Sequence, residues 1–338
     1  MERYSRQILF SPIGEAGQKN IRNGHVLIIG AGALGTANAE MLVRAGVGTL
    51  TIVDRDYVEW SNLQRQQLYT EEDANLRLPK AAAAKQRLSQ INHEVEISAV
   101  IEDVTAENIL EFSQNADVIV DATDNFETRL VINDAALKQG IPWIYGACVG
   151  SYGLTYTILP GLSPCLNCLL KQIPMEGQTC DTVGIISPAV QMVASYQTGE
   201  VLKLLTGAAD QLRKELLSFD VWRNQFSQIK VHALKDSACP SCGESAVYPF
   251  LSRTNSVKMS VLCGRDTVQI RPSVSKEMNF KELAKTLGRA AAEITANPYL
   301  LSFQTEQHRI VVFRDGRALI HGTKDIAEAR KIYQRYLG

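Results

Sequence analysis

Two Cys-x-x-Cys pairs, Cys165–Cys168 and Cys239–Cys242, are separated by 70 residues in this 338-residue chain. Four thiolates in that arrangement suit a tetrahedral structural zinc site. A fold that brings them together must close the long loop between the pairs, and that loop carries a further cysteine, Cys180. A redox Cys-x-x-Cys is the alternative, but that chemistry uses one pair at a helix start rather than two distant pairs.

The length allows one large domain and a smaller one. A net charge of -1 gives no reason to expect nucleic acid or an anionic membrane as the main partner. No apolar run reaches the roughly 18 residues of a membrane helix. The N-terminal residues lack an apolar signal segment behind their charges, so a cytoplasmic protein is expected. Seven cysteines in a reducing compartment then point to metal or chemistry rather than disulfides.

Apolar runs at 25–29, 50–53, 95–101, 117–121 and 143–147 read as strands. Helix-like segments lie between them, from the glycine loop to about Ala45 and near 80–91, 105–114 and 126–139. That alternation predicts an α/β fold with a Rossmann-like, mostly parallel sheet and helices on both faces. Residues 151–160 and 216–235 read as additional strands, and Pro188 and Gly207 as the start and stop of a helix. The apolar stripe on that helix, which includes Val190, Val193 and Val201, reads as core first and dimer interface second. After Gly243 the texture changes to strands near 257–270, a helix at 279–293, a hairpin turning at Asp315-Gly316 and a terminal helix at 324–337. The chain therefore divides into 1–245, carrying the nucleotide and zinc features, and 246–338, a small α+β domain of unassigned role.

Gly30-x-Gly32-x-x-Gly35 lies between a strand and a helix, where backbone N–H groups and the helix dipole can hold phosphate. Asp54 ends the next strand, a fair position for gripping ribose hydroxyls. These features alone fit an ordinary dinucleotide dehydrogenase. Arg65, Lys80 and Asp124 move the reading away from redox chemistry. The two cations can neutralise phosphate oxygens, and the carboxylate, at the end of an apolar strand, can hold magnesium. Taken singly, each cation could instead be a solvated surface charge.

The run Gly30-Ala-Gly-Ala-Leu-Gly35, the segment Asp54 to Gln66, Leu78-Pro79-Lys80, Ala122-Thr123-Asp124-Asn125 and the two cysteine pairs together resemble the ThiF/MoeB family. These are ubiquitin-activating-enzyme-like adenylyltransferases of small sulfur-carrier proteins in thiamine and molybdopterin biosynthesis. The likeness covers roughly residues 1–245 and implies a homodimer that binds ATP with Mg2+ and holds Zn2+ at the four cysteines. It carries ATP contacts onto Gly30, Gly32, Ala33, Gly35, Asp54, Asn62, Arg65, Lys80, Asp124 and Asn125. It makes Arg6 a phosphate-binding arginine donated by the partner subunit. Ala33 replaces a glycine of some members, a change that leaves a backbone N–H contact in place.

The implied reaction is adenylylation of the carrier's C-terminal glycine, giving acyl-adenylate and pyrophosphate ahead of thiocarboxylate formation with a sulfur donor protein. The attacking carboxylate is already ionised, so positioning and charge neutralisation carry the catalysis. Cys180 aligns with a family cysteine that can link covalently to the activated carrier, the bland alternative being a dispensable thiol. Cys148 reads as a small buried hydrophobe. Cys263, in a run loosely like a sulfurtransferase loop, reads as structural. Two other functions are kept in view: a nucleotide-dependent oxidoreductase, and a non-catalytic scaffold for a ubiquitin-like protein.

Overall fold

The computed structural model describes residues 2–172, 183–252, 259–261, 266–272, 277–288, 292–305 and 307–337. The chain divides into two compact units, Met1–Thr254 and Asn255–Gly338.

In the first unit, β1 (His25–Ile29), β2 (Thr49–Val53), β3 (Glu96–Val100), β4 (Val118–Asp121) and β5 (Trp143–Val149) pair in parallel. Three antiparallel strands continue the sheet: β6 (Tyr152–Ile158), β7 (Leu216–Asp220) and β8 (Gln225–Ile229). The order β3-β2-β1-β4-β5-β6-β7-β8 reverses direction between β1 and β4. A crevice opens outside the carboxyl ends of the strands at such a switch point.

Alternation along the strands loads both faces. Val26 and Ile28 of β1 pack with helices α3 (Ala33–Ala45) and α5 (Lys80–Ile91), while Leu27 and Ile29 pack with α7 (Phe126–Gln139). Two short helices, α1 (Ser5–Ile8) and α4 (Glu71–Asn75), and the longer α2 (Gly14–Asn23) flank these elements. The predicted helix over 105–114 shrinks to one turn, α6 (Ile109–Phe112), because Asn108 spends its side chain capping Thr105. After α8 (Leu166–Leu170), helix α9 (Ser187–Thr206) begins with Pro188 in its first turn and ends on Gly207 at φ 80°. Val190, Val193 and Val201 are buried in the core, as the stripe predicts.

Two further expectations change in this unit. Residues 216–235 form not one strand but the β7–β8 hairpin, turned through Asn224 at φ 56°. The first unit also extends beyond 245, since Phe250 and Leu251 pack into its core and the Phe250 N–H donates to Asp134 at 2.9 Å.

Among the described residues, the second unit is a six-stranded antiparallel sheet with helices α10 (Phe280–Leu287) and α11 (Ile326–Leu337). Its strands are β9 (Met259–Val261), β10 (Thr267–Ile270), β11 (Ala292–Ala296), β12 (Leu300–Gln304), β13 (Arg309–Phe313) and β14 (Ala318–His321), in the order β11-β12-β13-β14-β10-β9. The β13–β14 hairpin turns at Asp315-Gly316 as expected. The predicted helix over 279–293 stops at Leu287, and 292–304 supplies two strands instead.

Candidate nucleotide and metal sites

The glycine loop sits in the β1/β4 crevice and is shaped by two unavoidable glycines. Gly30 has φ 98°, and a Cβ there would lie 2.5 Å from the Ala122 carbonyl oxygen. A Cβ on Gly35 would lie 1.9 Å from the Gly30 oxygen, so α3 can start this close to β1 only without a side chain. Gly32 is different: it caps α3, and the nearest side-chain atom to its Cβ position is Gln66 Nε2 at 3.9 Å. Packing does not demand glycine there, whereas close approach of a phosphate to the helix N-terminus does.

Asp54 closes the loop from the side. Its Oδ2 accepts from the Ala31 N–H and its Oδ1 from the Asp56 N–H, both at 2.6 Å. Burial pushes its carboxyl above the usual aspartate value, against the pull of the Lys80 ammonium. Lys80 is not a surface charge. Only 4% exposed at the start of α5, it places Nζ 3.5 Å from Asp56 Oδ2. The Tyr69 hydroxyl, 2.7 Å from Ala31 O and 3.1 Å from Lys80 O, ties the glycine loop to that helix.

Asn62 and Gln66 are buried on the turn after β2. Asn62 Oδ1 caps the Glu59 N–H at 3.0 Å, but its Nδ2 has no hydrogen-bond partner, nor has Gln66 Oε1. Buried polar atoms without partners are costly; a ligand oxygen in the crevice would satisfy Asn62 Nδ2, whereas Gln66 Oε1 requires a donor such as a hydroxyl or amino group. Arg65, between the two, is half-buried with Nη1 2.7 Å from the Ser61 carbonyl.

The structure sorts the two acids after β4. Asp121 is fully buried and paired with Arg129 Nε at 3.0 Å, whereas Asp124 is exposed. Asn125 caps α7 by accepting from the Thr128 N–H at 2.8 Å and donates to Asp124 at 3.3 Å. Ala33 is the first residue of α3.

Arg6 is not brought to this crevice. Its helix α1 is held at the far ends of α3 and α5: Gln7 donates to the Ala45 carbonyl, Arg3 to the Ile91 carbonyl, and Asn92 to the Tyr4 hydroxyl. The length of α3 alone puts about 18 Å between that end and the glycine loop. Cys180 and Cys263 lie outside the described residues.

The four predicted metal ligands do meet. Cys165, Cys168, Cys239 and Cys242 place their Sγ atoms within 4.8 Å of one another, with separations of 3.8, 3.8 and 3.4 Å along three edges. A zinc ion with Zn–S bonds of about 2.3 Å would set edges near 3.8 Å, so the cage fits. The Cys242 thiol is drawn down to about 5 by a hydrogen bond from Cys165, which that bond pushes up. Helix α7 supports both halves: Asn133 Oδ1 accepts from the Leu166 N–H at 2.9 Å, and the adjacent Asp134 accepts from Ser241. Cys148 is a buried core residue.

Sequence reasoning assigned no role to Tyr69, Gln66, Arg129 or Gln197. Gln66 closes the quoted segment Asp54 to Gln66 as a neutral side chain, and the other three lie outside the quoted motifs.

Comparison with known proteins fits this geometry. Residues 4–241 match the ThiF family. The sulfur carrier protein ThiS adenylyltransferase of Bacillus subtilis (strain 168) is 59% identical over 336 residues, which cover 99% of each chain. The protein of the same name from Escherichia coli (strain K12) is 38% identical over 248 residues, covering 73% of this chain and 97% of that one. Among solved structures, E. coli MccB matches with a TM-score of 0.63 at 21% identity, over 72% of this chain and 73% of its own; that likeness concerns the fold alone. No helix among the described residues is long and apolar enough to cross a membrane. With the glycine loop, the buried lysine and the four-cysteine cage in one unit, the chain belongs to the ThiF family.

Proposed function

We propose that this chain is an ATP-dependent adenylyltransferase of a small ubiquitin-like sulfur carrier of the ThiS type, acting in thiamine biosynthesis. The observation that carries the reading is the buried Lys80 beside the glycine loop, with Asp124 exposed at the same switch point. A cation held out of water beside a phosphate loop, with an exposed carboxylate at the same switch point, serves a metal-bound triphosphate rather than a nicotinamide. The relative named as a ThiS adenylyltransferase matches the whole chain, including the second unit, which favours the thiamine carrier over the molybdopterin one.

The residues divide the work by charge. N–H groups at the start of α3 hold phosphate oxygens, and Asp54 accepts ribose hydroxyls. Asn62 Nδ2 gains its missing acceptor from the nucleotide. Arg65 and Lys80 neutralise the triphosphate, and Asp124, with Asn125 beside it, would hold the metal. Mg2+, when bound, supplies charge neutralisation across the phosphate oxygens. The carrier's C-terminal carboxylate forms a bond to the α-phosphorus while the α–β phosphoanhydride bond breaks and pyrophosphate departs. Sulfur from a donor protein then forms a bond to the carrier's acyl carbon while the acyl–phosphate bond breaks and AMP departs; Cys180 is this chain's thiol for holding the carrier, as a thioester formed with the same loss of AMP.

Arg6 reaches a phosphate only from a second subunit, since its own crevice lies beyond the length of α3. This supports a homodimer whose sites are completed in trans. The cysteine cage binds Zn2+ as a structural clip on the loop carrying Cys180. The test is ATP–pyrophosphate exchange with purified carriers: exchange that requires a ThiS-type carrier supports the reading. Exchange with a MoaD-type carrier alone reassigns the pathway, and none with either removes the reading.

A further inference from the structure

Two acids share the turn after β4, and only the outward one faces the crevice. Beneath that turn lies a buried polar frame. The Arg129 guanidinium, 5% exposed, donates from Nε to Asp121 Oδ2 at 3.0 Å. Its Nη2 donates to the Thr123 carbonyl at 2.6 Å and to the Gly146 carbonyl at 3.0 Å. The Phe126 and Tyr145 rings each lie 5.2 Å from its centre. Asp121 Oδ1 in turn accepts from the Thr123 N–H at 2.9 Å and hydroxyl at 2.7 Å, folding the turn back on itself.

A second side chain holds the same turn from the other face of the sheet. Gln197 of α9, fully buried, donates Nε2 to the Asp121 carbonyl at 2.8 Å and to the Ile144 carbonyl at 3.1 Å. Asn38 of α3 fixes its orientation by donating to Oε1 at 2.9 Å. Gly146 gives it room, because a Cβ there would lie 2.3 Å from Gln197 Nε2. The β4 turn is thus tied to α7, β5, α3 and α9 at once. Asn38 lies on the helix whose N-terminus forms the glycine loop, so the frame links the two sides of the crevice.

We propose that Arg129 and Gln197 are positioning residues: they fix the Asp121–Asn125 turn so that Asp124 meets the metal-bound triphosphate in register with the α3 N-terminus. The proposal rests on the adenylyltransferase reading for the identity of that ligand. Only a planar guanidinium can reach three acceptors in fixed directions; a lysine keeps the charge opposite Asp121 but loses the fork. Displacing a group by about 1 Å can cost on the order of 100-fold in rate. Here the loss would fall on metal use, not on nucleotide contacts.

The test compares wild type with Arg129→Lys and the volume-conserving Gln197→Met, each checked for folding by thermal melting and for zinc content. Two quantities are read: the Mg2+ concentration for half-maximal ATP–pyrophosphate exchange, and ATP-induced thermal stabilisation with EDTA and with Mg2+. The expected result is a Mg2+ requirement raised roughly 10-fold or more, with ATP stabilisation in EDTA unchanged and its Mg2+-dependent increment reduced. If Arg129→Lys does not fold, Gln197→Met carries the same expectation. Folded variants with the wild-type Mg2+ requirement overturn the positioning role while leaving the function intact. A wild type without exchange overturns the functional reading itself, and the proposal with it.

Discussion

Asn167 and Ser241 hydrogen-bond at 3.1 Å, and each is the third residue of its Cys-x-x-Cys loop. The two halves of the cage are therefore joined by side chains as well as by any metal. Asp134 accepts from the same Ser241, so one buried hydroxyl serves both loops and α7. Ser241→Ala should cost about 1–3 kcal/mol by leaving polar partners unsatisfied, and zinc should leave faster to a chelator. Equal stability and equal zinc-release rates would show that the metal alone assembles the cage.

The metal itself should contribute more than this bond. The purified chain should carry about one zinc per subunit, and Cys168→Ser should lose it and melt well below wild type. Elemental analysis with thermal melting checks both, and a metal-free chain of unchanged melting temperature would contradict the clip.

The glycines of the loop should separate by role. Gly35→Ala drives a Cβ into the Gly30 carbonyl and should cost about 3 kcal/mol or more of stability. Gly32→Ala meets no atom closer than 3.9 Å, so it should fold normally while weakening ATP binding. Chemical denaturation and ATP calorimetry on both variants distinguish them.

Asp54 sets opposite pH trends for folding and binding. Its folded-state value is raised, so its contribution to stability is fully present below the unfolded value and fades as pH rises through the folded one. Nucleotide binding needs the ionised acceptor, so ATP affinity should fall on acidification with a midpoint above that of an ordinary aspartate. Asp54→Asn should flatten that dependence, measured by ATP calorimetry from neutral pH downward, as well as weaken binding.

If Arg6 acts in trans, two inactive variants should complement. Arg6→Ala and Asp124→Ala are each expected to lose exchange. Co-expressed in equal amounts, half the dimers are mixed and each mixed dimer rebuilds one of its two sites, giving about a quarter of wild-type activity. No recovery, with mixed dimers present, would place Arg6 outside the site.

Much of this was legible because the parallel half of the sheet writes itself plainly: apolar runs, a glycine loop and acids at strand ends. Lys80 reads in isolation as a solvated charge, and only the fold reveals that Asp56 and α5 bury it. Gln197 was hidden in an apolar helix stripe, where a buried amide looks like a surface residue facing the wrong way. Arg129 was hidden because nothing in the sequence pairs it with Asp121, and only burial shows that Asp121 is an internal partner while Asp124 is exposed. The β7–β8 hairpin was missed because its turn at Val221–Asn224 has no glycine, Asn224 taking the left-handed position instead. In the second unit, the helix ends at Leu287 with Gly288 as its cap, a stop signal that the reading over 279–293 ran through, and short strands over 292–304 follow.

The central claim is that a carrier's C-terminal glycine receives AMP in the β1/β4 crevice. Intact-mass spectrometry of a ThiS-type carrier, incubated with the enzyme, ATP and Mg2+, tests it directly. A carrier heavier by one adenylyl group, absent with Lys80→Ala enzyme and absent when the carrier lacks its last glycine, is the result expected. A carrier of unchanged mass beside a folded, zinc-loaded wild-type enzyme would contradict the account.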